Sequence, residues 1–241
     1  MASVPSGILL VDKPEGWTSH DVVAFVRKFG VGKVGHCGTL DPMATGLLVL
    51  VIGKATRLSA TLSGHDKVYE AELKLGERTD SQDAMGNVTG TQPYPAVSKE
   101  DLENLIRERF SGEILQIPPM VSAIKKKGQR LYRLARKGIE VPRDPRPITV
   151  HDWRILEVAL PYVRSRIHCS KGTYVRTLCA DLGDALGCGA HMTGLRRLRS
   201  GPFSVESAVS IETLKTLTGE TLIDHMIPLD ELKQRFPVLF P

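Results

Sequence analysis

The sequence predicts an α+β fold with a mixed, mainly antiparallel sheet flanked by helices. Several strand-like segments follow each other directly, without the regular strand–helix alternation of a parallel α/β sheet. The segment KVYEAELKLG (67–76) alternates apolar and polar residues, as a half-buried strand does. Other segments carry apolar residues at helical spacing between recognisable start and stop signals. Together these three observations define the fold class.

The first elements are predicted in the order strand, helix, loop, strand, helix. GILLVDKP (7–14) is a short apolar run ended by proline, and TSHDVVAFVRKFG (18–30) opens with a threonine followed three residues later by aspartate. This pair is a capping box, so the segment is predicted to be a helix that stops at its final glycine. Apolar residues 47–52 predict a second strand, and residues 54–62 predict a short helix.

The remaining elements follow the same rules. SKEDLENLIRERF (98–110) has a serine cap, early acids and late bases, which suits a helix dipole. Residues 148–160 and 163–170 are predicted to be a pair of strands. TYVRTLCADLGDALG (173–187) has one apolar stripe and a terminal glycine, and one or two short helices are expected between residues 211 and 234.

Composition excludes several classes of protein. No apolar run approaches the ~20 residues of a membrane-spanning helix, and the N-terminus lacks the pattern of a signal peptide. The cysteines form no CxxC pair, so we expect reduced thiols in a cytoplasmic protein. They are Cys37, Cys169, Cys179 and Cys188.

Positive charge is concentrated in one stretch of the chain. The formal net charge is +5, yet residues 125–146 alone hold nine Lys/Arg against Glu140 and Asp144. Such a stretch is either a solvated basic helix face or a surface for a polyanion, and a second cluster, LRRLR (195–199), favours nucleic acid. The candidate phosphate contacts are Lys125, Arg130, Arg133, Arg136, Arg196, Arg197 and Arg199.

Asp41 is the most conspicuous candidate for chemistry. It is the single carboxylate in GHCGTLDPMATGLL (35–48), a segment with three glycines, and glycine lets a backbone approach a ligand closely. The alternative is that Asp41 caps a short turn through PMAT. The segment offers no second carboxylate for glycosidase-type catalysis and no zinc-ligand spacing.

Two further residues stand out. Arg176 lies in the first turn of a predicted helix, where a cation opposes the macrodipole. It either pairs with a surface acid or points at a buried anion, for which Asp41 is the candidate. Tyr69 lies on the apolar face of its strand, where it is either a core aromatic or a functional ring.

Five blocks of the chain, in the right order, resemble the TruB family of tRNA pseudouridine synthases. The resemblance runs from about residue 7 to residue 201. The blocks are GILLVDKPEGWTSHDVV, GHCGTLDPMATGLL, KVYEAELKLGERTDSQDAMG, IPPMVSAIKKKGQRLYRLARKGIEV and IHCSKGTYVRTL with LGCGAHMTGLRRLRSG. The same core is similar to the catalytic subunit of box H/ACA complexes, whose chains carry a C-terminal PUA domain.

The resemblance implies a pseudouridine synthase fold and a set of site residues. It implies that Asp41 is catalytic, that Tyr69 stacks on the target base and that Arg176 pairs with Asp41. The other implied residues are Leu195 lining the pocket, His36 filling the space left by the flipped base, and Lys67 and Tyr174 at further pocket positions.

The resemblance also implies the reaction and its partner. The substrate is uridine 55 in the T-loop of tRNA, presented on the T-arm stem-loop, with no cofactor, metal or obligate protein partner. We expect a catalytic domain over residues 1–209, with a small insertion around 86–145, and a short helical tail over 210–241 without a full PUA domain. Two alternatives remain: a non-catalytic RNA-binding or RNA-folding module, and a nucleoside hydrolase that releases uracil.

Overall fold

A computed structural model gives the architecture of the chain. It describes residues 6–122, 125–126, 129–130, 139 and 141–237. These residues form two compact units. The first unit contains residues 6–69 and 195–237, and the second contains the described residues between 70 and 194.

Strands and helices are numbered in chain order. The strands are β1 Gly7–Lys13, β2 Val34–Cys37, β3 Thr45–Ile52, β4 Lys67–Leu75, β5 Glu77–Thr79, β6 Val88–Thr91, β7 Gly112–Gln116, β8 Lys125–Lys126, β9 Gln129–Arg130, β10 Arg146–Ala159, β11 Tyr162–Cys169, β12 Ala190–Ser200, β13 Phe203–Ser204, β14 Val209–Ser210 and β15 Met226–Pro228. The α-helices are α1 Ser19–Arg27, α2 Ser59–Ser63, α3 Lys99–Arg109, α4 Val175–Ala185, α5 Ile211–Thr216 and α6 Leu229–Arg235.

In the first unit, β1 and β3 form the centre of the sheet. They run antiparallel over the whole length of β1, while β2 and β12 both pair with β3. Helices α1 and α5 contribute to the apolar core on one face, and α2 and α6 contribute to the core on the other. Because both faces are covered, β1 and β3 are continuous apolar runs rather than alternating ones.

In the second unit, the sheet order is β12–β4–β11–β10–β7. Alternate residues of the described β4 segment are buried, as its sequence predicts. Helix α3 packs on β10, where Phe110 and Trp153 meet edge to face with ring centroids 5.6 Å apart. The pairs β10–β11 and β7–β10 are antiparallel, so the predicted α+β class with a mainly antiparallel sheet is confirmed.

Most predicted elements are present, with one clear difference. Both expected N-terminal caps are formed: Thr18 and Asp21 make a capping box on α1, and Ser98 and Asp101 make one on α3. The single helix expected over 54–62 is instead a 3-10 helix, Gly53–Leu58, followed by α2. Serine and threonine at its centre favour caps over helix interiors, which explains the break.

Other expectations concern the domain bounds and the basic stretch. The unit boundaries fall at 69/70 and 194/195, and the division at residue 209 with an insertion at 86–145 stays a prediction. Within the basic stretch, β8 and β9 form an antiparallel pair rather than part of a helix. Arg133 and Arg136 lie outside the described residues. None of the helices in the described part of the chain has the length and apolar character that a membrane crossing requires.

Candidate active site

The loop that carries Asp41 connects β2 to β3 in the first unit, and hydrogen bonds fix it near Asp41. The Ser19 hydroxyl accepts from the Leu40 N–H (2.8 Å) and donates to the Leu40 carbonyl (3.1 Å). On the other side of Asp41, the Gly16 N–H donates to the Pro42 carbonyl (2.9 Å). Both neighbours of Asp41 are therefore tied to residues at the start of α1 and just before it.

The Asp41 side chain is only partly buried, and the turn after it closes through the backbone. The Ala44 N–H donates to the Asp41 carbonyl at 3.0 Å, which spans Pro42 and Met43. The turn that motivates the capping alternative is therefore present, and the catalytic role of the Asp41 carboxylate stays a prediction.

Arg197 lies beside this loop and explains one of its glycines, Gly46. Its side chain is 1% exposed and donates to the Leu47 carbonyl (2.7 Å) and the Gly38 carbonyl (3.1 Å). Gly46 has φ +96°, and a Cβ there would lie 2.3 Å from the Arg197 carbonyl oxygen. At Gly38 a Cβ would lie 3.4 Å from the Arg197 guanidinium. A side chain at position 46 would be strained and would collide with β12.

This burial corrects one prediction. We expected Arg197 to contact phosphate, but a guanidinium that is enclosed and bonded to two backbone carbonyls supports the loop instead. Its neighbour Arg196 forms a two-pronged ion pair with Asp12, at 3.0 and 2.7 Å. Arg199 is exposed, so of the three arginines in this cluster it is the most accessible.

Lys13 places a positive charge under the same loop. Its side chain has no exposed surface, and its ammonium donates to the carbonyls of Pro14 (2.8 Å), Trp17 (2.6 Å) and Pro42 (3.3 Å). Burial lowers the pKa of Lys13 to about 8, and the negative charge of Asp41 opposes that shift. Lys13 therefore interacts electrostatically with Asp41 and also anchors the residue after it.

His36 and Lys67, both expected in the pocket, belong to the same unit. Burial lowers the pKa of His36, and the positive charge of Arg197 lowers it further, so the imidazole is neutral near pH 7. Its Nδ1 is buried and makes no hydrogen bond within the described residues. The Lys67 ammonium donates to the carbonyls of Ser63 (2.7 Å) and His65 (2.5 Å), at the end of α2.

Tyr69 and Leu195 complete the predicted residues of the first unit. Tyr69 is 9% exposed and lies on the buried face of β4. Leu195 is partly exposed on β12, and its carbonyl is 3.5 Å from the Thr45 hydroxyl, one residue before Gly46. The first unit thus contains five of the predicted site residues, and their grouping in one pocket stays a prediction. They are Asp41, Tyr69, His36, Lys67 and Leu195.

Arg176 lies in the second unit and is held by a buried acid. It is 4% exposed, and its Nη1 donates to a carboxylate oxygen of Asp83 at 3.0 Å. Its Nη2 donates to the Val121 carbonyl at 2.5 Å. These contacts offset the cost of a cation in the first turn of α4. We expected a surface acid or Asp41. The anion in this unit is buried Asp83, and the pairing with Asp41 stays a prediction.

Tyr174, immediately before α4, has its ring near Arg176. The Arg176 Cζ lies 5.9 Å from the centroid of the Tyr174 ring, within range of a cation–π contact. The positions of Lys125 and Arg130 are known only as members of β8 and β9. Of the predicted phosphate contacts in the basic stretch, none has a described side-chain position.

Sequence reasoning missed three charged or polar residues that organise these sites. Lys13 and Asp83 are fully buried charges, and Ser19 is a buried hydroxyl. Lys13 ends an apolar run, where a lysine is unusual in a strand buried on both faces. Asp83 is one of two aspartates in ERTDSQDAMG, and nothing local distinguishes it from exposed Asp80. Only the first of these residues carries a usable signal.

A histidine pair is the closest approach to a metal-binding group within the described part of the second unit. His151 and His168, on β10 and β11, have ring centroids 4.6 Å apart. Two imidazoles fall short of the four ligands of a structural zinc site. The pair therefore does not by itself define a metal centre.

Structural similarity places the fold among the pseudouridine synthases. Structural similarity includes a chain from the crystal structure of a Cbf5–Nop10–Gar1 complex, at TM-score 0.72 and 31% identity, covering 95% of this chain and 61% of that chain. A second match is the structure of an H/ACA RNP bound to a substrate RNA containing 2′-deoxyuridine, at TM-score 0.63 and 29% identity, covering 95% of this chain and 55% of that chain.

Sequence comparison identifies the family. Residues 26–175 match the TruB family pseudouridylate synthase N-terminal domain, and residues 176–233 match the tRNA pseudouridylate synthase B C-terminal domain. A tRNA pseudouridine synthase B of Syntrophotalea carbinolica is 47% identical over 97% of this chain and 76% of the relative. One of Opitutus terrae is 47% identical over 92% of both chains. The chain belongs to the TruB family.

Proposed function

We propose that this chain isomerises uridine to pseudouridine at position 55 in the T-loop of tRNA, with Asp41 as the catalytic carboxylate. Family membership and the names of the curated relatives support the reaction. The observation that carries the assignment of Asp41 is its loop. Hydrogen bonds from Ser19, Gly16, Lys13 and Arg197 to backbone carbonyls fix this loop. Catalytic groups need such preorganisation.

The reaction breaks the N1–C1′ bond of uridine and forms a C5–C1′ bond. The proton on C5 leaves, N1 gains a proton, and the mass of the RNA does not change. A carboxylate serves this chemistry either as a nucleophile or as a base. The buried ammonium of Lys13 places a compensating positive charge near Asp41 in the same unit. The proposed role of Arg176 is to pair with Asp41, as the family resemblance implies.

Access to the base requires that it leave its stack. Enzymes that act on a base in folded nucleic acid extrude it, at a cost of a few kcal/mol. A neutral imidazole at His36 is well suited to fill the vacated space, because it carries little desolvation penalty. The ring of Tyr69 is flat and largely apolar, which suits stacking on the extruded uracil.

Exposed cations in the first unit support an RNA partner. Lys33, Lys54 and Arg57 are exposed and make no ion pair within the described part of the chain. Lys33 and Lys54 lie close along the backbone, because the Gly53 N–H donates to the Lys33 carbonyl at 2.8 Å. Arg57 follows one turn later on the 3-10 helix. Unpaired cations of this kind bind phosphates and release counterions.

The decisive experiment compares the wild-type chain with Asp41→Asn on a T-arm stem-loop RNA. Carbodiimide labelling with primer extension locates pseudouridine, and mass spectrometry of the RNA separates the alternatives. We expect wild-type protein to convert one uridine without a change in mass. We expect Asp41→Asn to bind the RNA with similar affinity and the same melting temperature, but to show no turnover.

Each alternative gives a different result. A nucleoside hydrolase would lower the RNA mass by release of uracil. A non-catalytic RNA-binding module would bind the stem-loop and leave every uridine unchanged. Appreciable turnover by pure Asp41→Asn would contradict the assignment of the carboxylate.

A further inference from the structure

Gln116, the last residue of β7, makes a double hydrogen bond to the backbone of a residue far away in sequence. The Tyr174 N–H donates to Gln116 Oε1 at 2.8 Å, and Gln116 Nε2 donates to the Tyr174 carbonyl at 3.1 Å. The glutamine is 2% exposed. A side-chain amide can pair with a peptide in this way because it offers one donor face and one acceptor face. Gln116 therefore holds both backbone polar groups of Tyr174, which belong to two adjacent peptide units.

The backbone of Tyr174 sets the position of Arg176, whose side chain is proposed to be catalytic. Tyr174 is the N-cap residue of α4, its own side chain makes no capping hydrogen bond, and Arg176 is the second residue of that helix. On the far side of Arg176, the Thr177 hydroxyl donates to Gln82 Oε1 at 2.7 Å. The first turn of α4 is thus fixed both before and after Arg176.

The guanidinium of Arg176 is also fixed, by two hydrogen-bond acceptors. Its two terminal nitrogens reach the Asp83 carboxylate and the Val121 carbonyl, in different directions. A planar guanidinium satisfies both acceptors only over a narrow range of helix positions. A shift of the peptide at Tyr174 would move the base of the side chain while its acceptors stayed in place.

We propose that Gln116 is a positioning residue for the isomerisation, which holds the backbone N–H and carbonyl of Tyr174 and thereby orients the side chains of Tyr174 and Arg176. The inference rests on the proposed function. Gln116 acts through the backbone of Tyr174 and is not assigned a contact with the substrate. This role differs from a purely structural one, because it predicts an effect on turnover and not only on stability.

The first test replaces the amide by an apolar side chain of similar length. In Gln116→Met both hydrogen bonds are lost, and we expect kcat on the T-arm stem-loop to fall roughly 100-fold, as misplacement of about 1 Å can cause. KM should change less than about threefold, since positioning of a bound substrate, not its affinity, is impaired. The matched control is Gln92→Met, the same substitution at an exposed site in the same unit, which should retain wild-type kcat.

The second test gives a signature that a purely structural role does not. In Gln116→Glu the ionised carboxylate still accepts from the Tyr174 N–H, but its second oxygen faces the Tyr174 carbonyl. Protonation restores a donor toward that carbonyl. The ratio of kcat for Gln116→Glu to wild-type kcat should therefore rise as pH falls from 8 to 5.5. The same ratio for Gln116→Met should stay flat.

A third measurement shows which residue Gln116 acts through. In an Arg176→Lys background, single-turnover rates should fall little further when Gln116→Met is added, because coupled residues are not additive. An additive loss would assign Gln116 to general stability and would overturn the inference. So would unchanged kcat in Gln116→Met, or a flat pH ratio for Gln116→Glu.

The design separates this inference from the proposed function. If wild-type protein converts no uridine, the proposed function fails. If wild-type protein is active and all Gln116 variants match it, only the role of Gln116 fails. Should Gln116→Met not fold, the pH ratio of Gln116→Glu still decides the question.

Discussion

At the scale of single residues, the buried charges define where chemistry is possible. Arg176 has its charge in the first turn of α4, against the helix dipole, and Asp83 supplies the buried counter-charge. Asp83 in turn accepts a hydrogen bond from the Ser81 hydroxyl at 2.6 Å. A buried ion pair of this kind is costly to break, because either partner alone would remain as an unpaired charge in the interior.

The geometry of Arg176 predicts that lysine cannot replace it. Arg176→Lys keeps the charge, but a single ammonium cannot hold the separate acceptors on Asp83 and Val121 as the planar fork does. We expect turnover on the T-arm stem-loop to fall at least roughly 100-fold. The control is Arg154→Lys, at an exposed arginine of the same unit, which should keep wild-type rates. A near-wild-type rate for Arg176→Lys would refute the functional role.

Tyr69 gives a prediction that separates its ring from its hydroxyl. Tyr69→Phe keeps the ring and should bind RNA normally but turn over slowly. Tyr69→Leu should also bind more weakly, since stacking of a base on an aromatic side chain is worth about 1–3 kcal/mol. Fluorescence titration and single-turnover assays measure the two effects. Full activity in both variants would show that Tyr69 is only a core aromatic residue.

At the scale of elements, α4 shows how a helix joins packing to a site. Its apolar stripe is fully buried, which fixes the helix, and its first turn presents Arg176. The same helix carries Asp181, an acid with a shifted pKa. Burial raises the pKa of Asp181 to about 6, and the negative charge of Asp184 adds to the shift. The acid therefore titrates at a higher pH in the folded chain than in the unfolded one.

Asp181 predicts a pH dependence of stability with a definite sign. Between about pH 4 and pH 6 the folded chain binds more protons at this site than the unfolded chain, so the free energy of unfolding falls as pH rises through that window. Asp181→Asn removes the titration. We expect it to stabilise the chain at pH 7.5 more than at pH 4.5, measured by urea unfolding.

The control for this prediction is Asp224→Asn, at an exposed aspartate of the first unit. Asp224→Asn removes one negative charge at an exposed position, whereas Asp181→Asn removes the carboxyl group whose pKa is raised. An equal gain for Asp181→Asn at both pH values would show that Asp181 ionises without a penalty, contrary to its raised pKa.

At the scale of the whole molecule, charge is arranged for a polyanion. The chain has a net charge of +5, and its basic residues are concentrated in the 125–146 stretch. Three further cations of the first unit, Lys33, Lys54 and Arg57, are exposed. Binding to RNA through such groups depends on counterion release and therefore falls steeply with salt.

Salt titration tests which cations bind phosphate. Neutralising three phosphate contacts should flatten the slope of log affinity against log salt by roughly one unit per charge removed, without changing which uridine is modified. We expect this flatter slope for two variants in which three cations are replaced by glutamine. The first replaces Lys33, Lys54 and Arg57, and the second replaces Arg130, Arg133 and Arg136.

The matched control for the salt slope neutralises three other lysines, Lys99, Lys215 and Lys233. Each of these lies within 4 Å of an acid, at 3.8, 3.8 and 3.4 Å respectively. The control should leave the slope nearly unchanged, because its charges are already balanced locally. A control slope as flat as those of the two test variants would mean that net charge alone governs RNA binding.

The sequence by itself determined most of the elements and the candidate for the reacting group. Apolar periodicity and capping boxes located β1, α1, α3 and α4, because these signals are local and depend on side-chain spacing. The isolated carboxylate of Asp41 among glycines was also visible locally. The family resemblance added the roles of Tyr69, Arg176 and the pocket residues, which periodicity alone does not supply.

Only the tertiary structure decided what holds the site residues in place. The Asp83–Arg176 pair spans 93 positions of sequence, and the hydrogen bond from Arg197 to Gly38 spans 159. The sequence showed three cations in LRRLR but not that Arg197 turns inward, since strand position and burial depend on the strand beside it. Long-range contacts have no local signature. The sequence therefore indicated the proposed catalytic carboxylate, while the folded molecule revealed the groups that hold its loop and Arg176.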